Sequence, residues 1–418
     1  MSARIELLRE AQFLGRDRSL VLWLAVIAVL ACASLASGVS EVHSQQVLID
    51  SLLQADREER ERVLDAQQDW GSAAYYSFHL TYDPPTEFAF AALGRRDQDP
   101  WKHRVRMLAL EGQIYERDSS NPVLALIGRF DFAFFAAFVL PLVLIVLLHD
   151  AHARERTAGR HALLLTTSGS ARSPWRQRAQ LKAAGVFTAS ALPLLTISTF
   201  QGVAASTQLA AACALLAYVI FWALVCGFVA QREQASSVLL TILLGAWLVL
   251  AVIVPSGGRL LVDYFQPVPS GADITLTQRE AVNDAWDLPV ETTMDAFVER
   301  HPEWIGMTAV DEQAFEWKWY YAFQQVGDMT TEPLTDAYRA GRQRRDELAG
   351  IVSLASPPAL LERFFQSLAE TDLTASLAYE AEVRRFHADL RAYYYEQMFR
   401  KRAYESAALE DMPTFNPS

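Results

Sequence analysis

Residues 209–254 read LAAACALLAYVIFWALVCGFVAQREQASSVLLTILLGAWLVLAVIV, two apolar runs that meet at a polar turn around Arg232 and Glu233. At ~1.5 Å per residue, each run (209–230 and 237–254) is long enough as a helix to cross most of a ~30 Å hydrocarbon layer. Working outward, the same pattern recurs at 183–200, 130–148 and 20–39. The shorter runs need tilt or snorkelling flanks. Because lipid offers the backbone no hydrogen bonds, runs of this kind must be helices. The sequence therefore predicts an all-α polytopic membrane protein with five transmembrane helices and a mainly helical extracytoplasmic domain.

Composition and charge agree. Of 418 residues, 51% are hydrophobic and only 21% charged, which does not suit a soluble chain of this length. Residues 257–418 hold 27 acidic and 15 basic residues, so this block alone carries the formal charge of −12 and the remainder is neutral. No Lys/Arg stripe with interleaved aromatics is present to neutralise phosphates, which excludes nucleic acid as a partner. Cys32, Cys213 and Cys226 all fall inside apolar runs, so neither a disulfide framework nor a cysteine zinc site can be built from them.

Orientation follows from the short connections. The segment 149–182 holds Arg154, Arg156, Arg160, Arg172, Arg176, Arg178 and Lys182 against Asp150 and Glu155, and is expected to be cytoplasmic. The N-terminus, with Arg4, Arg9, Arg16 and Arg18, and the turn at Arg232 then share that side. Residues 40–128 and 257–418 fall outside the cytoplasm. A cleaved leader at Ala31-Cys32-Ala33 is an alternative, but the apolar run continues to Val39, and Glu6, Glu10 and Asp17 do not suit a signal n-region. A retained anchor is the better reading.

Both outer blocks read as helical. Ser44–Trp70 lacks Gly and Pro, and its charged run from Asp56 to Arg62 reads as a solvated face. In Thr371–Arg402 the residues Tyr379, Val383, Phe386, Leu390, Tyr394 and Met398 form one helical stripe, and a third helix is predicted over Val310–Ala349. The aromatic group Phe315, Trp317, Trp319, Tyr320, Tyr321 and Phe323 reads first as domain core and second as a ligand-facing wall.

Catalytic motifs are missing from the sequence. The dipeptide Gly-Lys does not occur, so the chain has no P-loop, and neither H-E-x-x-H nor G-x-S-x-G is found. His149 and His152 bracket Asp150 without a third ligand, and read as a solvated helix end rather than a metal site. Pro141 and Pro193 lie inside predicted spans, where a neighbouring helix must satisfy the freed carbonyl. Asp131, an ionisable group at the edge of the second span, is with these two prolines the candidate for a substrate path. The segment 150–182 suits docking to a cytoplasmic partner; a basic loop held near anionic lipid is the competing reading.

The order Pro141, Asp150, Glu155-Arg156, Gly159-Arg160, Leu163-Leu164-Leu165, Ser168, Arg172 and Lys182 resembles the coupling segment of ABC-2 type transporter permeases. The layout is also similar, with an amphipathic N-terminal helix over residues 1–18 (Leu7, Ala11 and Leu14 on one face), one span, a large outer segment and a close group of spans. Asn121-Pro122, Gly128-Arg129-Phe130-Asp131, Phe315-Glu316-Trp317-Lys318-Trp319-Tyr320-Tyr321 and Ser356-Pro357-Pro358 resemble a branch with two large outer segments and no assigned substrate.

The resemblance implies a permease in a bacterial inner membrane that binds no cofactor itself and works with separate cytoplasmic ATPase subunits, which would hold ATP and Mg. A second permease, identical or related, would complete it. Glu155, Arg156, Gly159, Arg160, Leu164, Arg172 and Arg176 would meet the ATPase. Such permeases have six spans, so a sixth is expected beyond Ser418; the alternative is a chain that ends outside. Two other functions compete: an ATP-driven mechanical subunit that remodels an extracytoplasmic protein with nothing transported, and a membrane-anchored outer enzyme or receptor.

Overall fold

The structure is a computed structural model that describes residues 10–12, 14–97, 99–115, 130–150, 153–159, 174–311, 314–405 and 411–417. It is mostly helical and contains five helices long and apolar enough to cross a membrane. α1 (Arg18–Asp65) is first, and Asp17 caps it by accepting the Ser19 amide at 3.0 Å. The first segment of a head domain follows: α2 (Trp70–Tyr76), β1 (His79–Tyr82), β2 (Lys102–Val105) and α3 (Leu110–Tyr115). Next come α4 (Phe132–Phe134, a π-helical turn Phe135–Val139, then Leu140–Leu148), α5 (Ala153–Thr157), α6 (Pro174–Phe200) and α7 (Ala205–Ala230). The fifth apolar helix is α8, which runs Ser236–Phe265 with a π-helical turn at Val249–Ile253. The second head segment contains α9 (Gly271–Asp284), α10 (Val290–Arg300), α11 (Trp317–Ser353), α12 (Pro357–Leu368) and α13 (Leu373–Phe399).

Among the apolar helices α4 is the most buried and α8 the least. Phe132, Phe135, Ala136, Leu140, Leu144 and Ile145 are fully enclosed, so α4 is apolar on every side that its neighbours cover. α1 does not stop at the end of its apolar run. Ile27, Ala31, Leu35, Gly38, Val42, Gln45 and Ile49 keep one face buried from the apolar half into the polar half, and the helix continues unbroken for 48 residues.

The two polar blocks, separated by four apolar helices in the chain, fold into a single head. Trp70, Ala73, Val105, Met107 and Ile114 from the first share one core with Phe297, Tyr321, Val383, Leu390 and Tyr394 from the second. Hydrogen bonds stitch them together: Trp70 Nε1 donates to the Ala403 carbonyl (3.1 Å), Tyr404 to that of Leu64 (2.6 Å) and Tyr321 to that of Gly71 (2.8 Å). α12 belongs instead to the apolar core. Its Leu361 and Phe365 close over the head end of the bundle against Phe88, Phe90 and Phe132.

Several expectations are corrected. The head contains a two-stranded antiparallel hairpin, with His79 opposite Val105 and Tyr82 opposite Lys102. The third helix begins at Trp317 rather than Val310, leaving Phe315 on the surface at 53% exposure, while Tyr321 and Phe323 are core. The charged run of α1 is not solvated throughout, since Asp56 is buried and paired with Arg60 one turn on. The stripe on α13 is as expected, with Tyr379, Val383, Phe386, Leu390 and Tyr394 buried and Met398 half-buried.

Candidate functional site

The end of the bundle opposite the head, the base, brings together three stretches far apart in sequence. Arg178, in the first turns of α6, donates from Nε to Glu10 Oε2 (2.9 Å) and stands 3.3 Å from Glu155 Oε1 on α5. All three side chains are largely buried, at 20% exposure or less, so this ion triad is partly desolvated and loss of one partner would leave a buried charge uncompensated. Arg156 turns the other way. Its Nη2 donates to the carbonyls of Arg232 (2.8 Å) and Gln234 (3.3 Å), in the turn between α7 and α8. Lys182 Nζ donates to the Leu147 carbonyl at the end of α4 (2.7 Å), as a cation favours a helix C-terminus.

Of the residues singled out from sequence, Glu155 and Arg156 thus sit in this cluster. Gly159 ends the stretch with φ +70°, a conformation that glycine adopts without strain. Arg176, two residues before Arg178 on α6, is exposed. Arg160, Leu164 and Arg172 lie outside the described residues, as do His152 and most of the N-terminal amphipathic stretch. Arg178 was only one of seven basic residues in the sequence; nothing short of its pairing with Glu10, some 170 positions away, distinguishes it.

Asp131 is buried and both its oxygens are engaged. Oδ1 caps α4 by accepting the Phe134 amide (2.8 Å), and Oδ2 accepts the Leu93 amide (2.9 Å). Pro141 lies just after the π turn of α4. The carbonyl of Ala137, four residues before it, accepts a hydrogen bond from Tyr218 of α7 (2.5 Å). A related arrangement is found in α8, where Pro255 follows a π turn and the carbonyl of Leu250, five residues before it, accepts from the Ser356 hydroxyl (2.6 Å). Pro193 lies inside α6, which remains α-helical from Pro174 to Phe200. The expectation that neighbouring helices satisfy proline-freed carbonyls is met at Pro141, and sequence gave no sign that Tyr218 and Ser356 are the donors.

In the head, Asp328 of α11 is the centre of a buried polar network. It accepts from the amides of Leu110 (2.8 Å) and Glu111 (3.2 Å), from Gln278 (2.5 Å) and from Arg391 of α13 (2.6 Å). Beside it Arg384 forks onto Glu111 with Nε to Oε1 at 2.8 Å and Nη2 to Oε2 at 2.9 Å. Burial opposes the charge on Arg384, but the bonds to Glu111 more than offset it and hold the guanidinium above its ordinary range. His79 and His387 are buried in the same domain. Burial, with Arg60 nearby, pushes His79 down to about 3, and burial with Arg391 nearby holds His387 well below the usual imidazole range. Among the described residues no group of three His, Cys, Asp or Glu is placed to hold a metal ion.

Residues 273–418 match a family described as a domain of unknown function (DUF3526), a stretch that covers most of the second head segment and none of the five apolar helices. No curated protein and no solved structure matches the chain.

Proposed function

We propose that the chain is the membrane-spanning permease subunit of an ABC transporter, coupling ATP hydrolysis by a separate ATPase subunit to export or translocation of a substrate. The observation that carries this reading is the base cluster. Through Arg178 and Arg156, the segment between α4 and α6 is tied to the N-terminal stretch and to the turn between α7 and α8. A push delivered there by a nucleotide-driven partner would reach every apolar helix at once. Together with the coupling-segment resemblance and a sequence without a P-loop, this supports a chain moved by ATP bound elsewhere.

In this reading the base faces the cytoplasm of a bacterial cell, the head lies beyond the inner membrane, and a second permease and the surrounding lipid complete the assembly. Asp131 marks the head end of the substrate path, and Pro141 and Pro193 are the points at which the spans flex. The test is affinity purification of the full chain in detergent, with identification of co-purifying proteins and an ATPase assay. A stoichiometric P-loop ATPase is expected, with turnover that falls on Glu155→Arg or Arg156→Glu; absence of any ATPase, or turnover indifferent to both changes, sinks the reading.

A second reading is favoured by one observation, the unbroken course of α1 from base to head. Such a helix suits a mechanical subunit that moves the head against an extracytoplasmic protein and transports nothing. Spectroscopic distances between base and head that change with ATP turnover, without solute flux in vesicles, would select this reading over the first.

A further inference from the structure

The head contains a cavity of about 640 Å³, within the size range of small-molecule sites. Its walls are one face of α11, one face of α13 and the 3-10 turn Pro302–Trp304 that follows α10; its floor is Leu110 and Glu111 of α3. Polar residues recur along α11 at Asp328, Glu332, Thr335, Asp336 and Arg339, a spacing that turns them all to the cavity side.

Floor and mouth differ in a way that selects a ligand. On the floor, the Arg384–Glu111 and Arg391–Asp328 pairs have side chains between 11% and 17% exposed and are cross-braced by backbone amides. Breaking either leaves a buried charge unpaired, so these pairs are fixed. At the mouth, Arg300 pairs with Glu332 at 2.8 Å with both side chains about half exposed, and Arg339 stands 3.6 Å from an Asp336 that is 66% exposed. Pairs so exposed contribute little and exchange partners readily. Between them on α11 lies Thr335, 3% exposed, whose hydroxyl has no hydrogen-bond partner among the described residues. That oxygen is itself enclosed, so Thr335 belongs to the packed wall beneath the mouth and leaves the charged pairs as the groups a ligand meets.

We propose that this cavity binds a small zwitterion of the amino-acid or short-peptide class. Its carboxylate takes Arg300 and Arg339, and its ammonium takes Glu332 and Asp336. A ligand carrying both charges meets both partners of each pair, whereas an anion or a cation meets only one partner of each. Leu110, Met329, Ala388 and Ala392 supply apolar wall for its side chains. The inference concerns the head alone and does not rest on the transporter reading.

The test is calorimetric titration of the full chain in detergent with trialanine, N-acetyl-trialanine and trialanine amide. Trialanine is expected to bind saturably, and blocking either end to weaken it by about tenfold or more. Arg300→Gln and Glu332→Gln, both on the exposed mouth, should each weaken trialanine to the same degree with the melting temperature kept. No saturable binding of trialanine at millimolar concentration overturns the proposal, as does equal affinity for a blocked peptide or unchanged affinity in both variants.

Discussion

At Pro141 the chain gives up an amide donor inside an apolar helix, and Tyr218 supplies the hydroxyl that meets the Ala137 carbonyl. Tyr218→Phe should therefore cost about 1 kcal/mol, the usual size of such a bond between apolar helices. In a Pro141→Ala background the helix can use its own amide, and the same change should cost much less; thermal unfolding of the four variants in detergent reads the difference. Asp328 is the larger case. Asp328→Ala would leave Arg391 buried and the Leu110 and Glu111 amides unpaired, and an expected loss of about 3–5 kcal/mol is measurable by denaturant unfolding of the head. Acid acts through the buried histidines. The unfolded chain takes a proton near the ordinary value of 6.5, whereas folded His79 does so only at about 3 and folded His387 well below that ordinary value. The stability they carry is thus complete above pH 6.5 and is lost as pH falls below it, by no more than about 1.4 kcal/mol per pH unit for each. Melting temperature between pH 7 and 5 should fall less steeply in His79→Gln and His387→Gln than in the parent chain.

Two close approaches set where the elements sit. A methyl group on Gly38 of α1 would lie 1.9 Å from the Phe90 carbonyl oxygen, part of a backbone segment that cannot swing aside. A methyl on Gly341 of α11 would meet only the side chain of Val268, at 2.6 Å. Both Gly→Ala changes should destabilise, by about 1–3 kcal/mol or more for overpacking. Val268→Ala should restore Gly341→Ala, while no single side-chain change should restore Gly38→Ala; paired melting curves test both statements. These contacts also mark what could be read from sequence. Apolar runs and the α13 stripe were legible because water and hydrocarbon impose their period on any sequence. The hairpin was not, because Thr81 and His103 are held by Tyr379, almost 300 residues further on. The base was legible as a basic segment, but the choice of Arg178 as its bridge depends on a carboxylate contributed by the N-terminal stretch.

On the scale of the molecule, the head is one core built by two segments, and the stretch matching the unknown-function family is only the larger part of it. Residues 266–418 expressed alone should be helical by circular dichroism yet rapidly proteolysed. Joined by a flexible linker to residues 40–115 they should resist the same protease, since Trp70, Val105 and Met107 then fill the core. Sequence legibility was poorest at this scale, because a shared core between blocks so far apart leaves no local pattern. The same division fixes an order of events during synthesis. The indole of Trp70 emerges 333 residues before the Ala403 carbonyl that receives its hydrogen bond; at about 5–20 residues per second it waits roughly 20–70 s. For that interval the first segment stands with half a core open while the four apolar helices that follow it are still being made. Biogenesis of this protein thus contains an obligatory delay, during which a chaperone or a protease has its longest access to the chain.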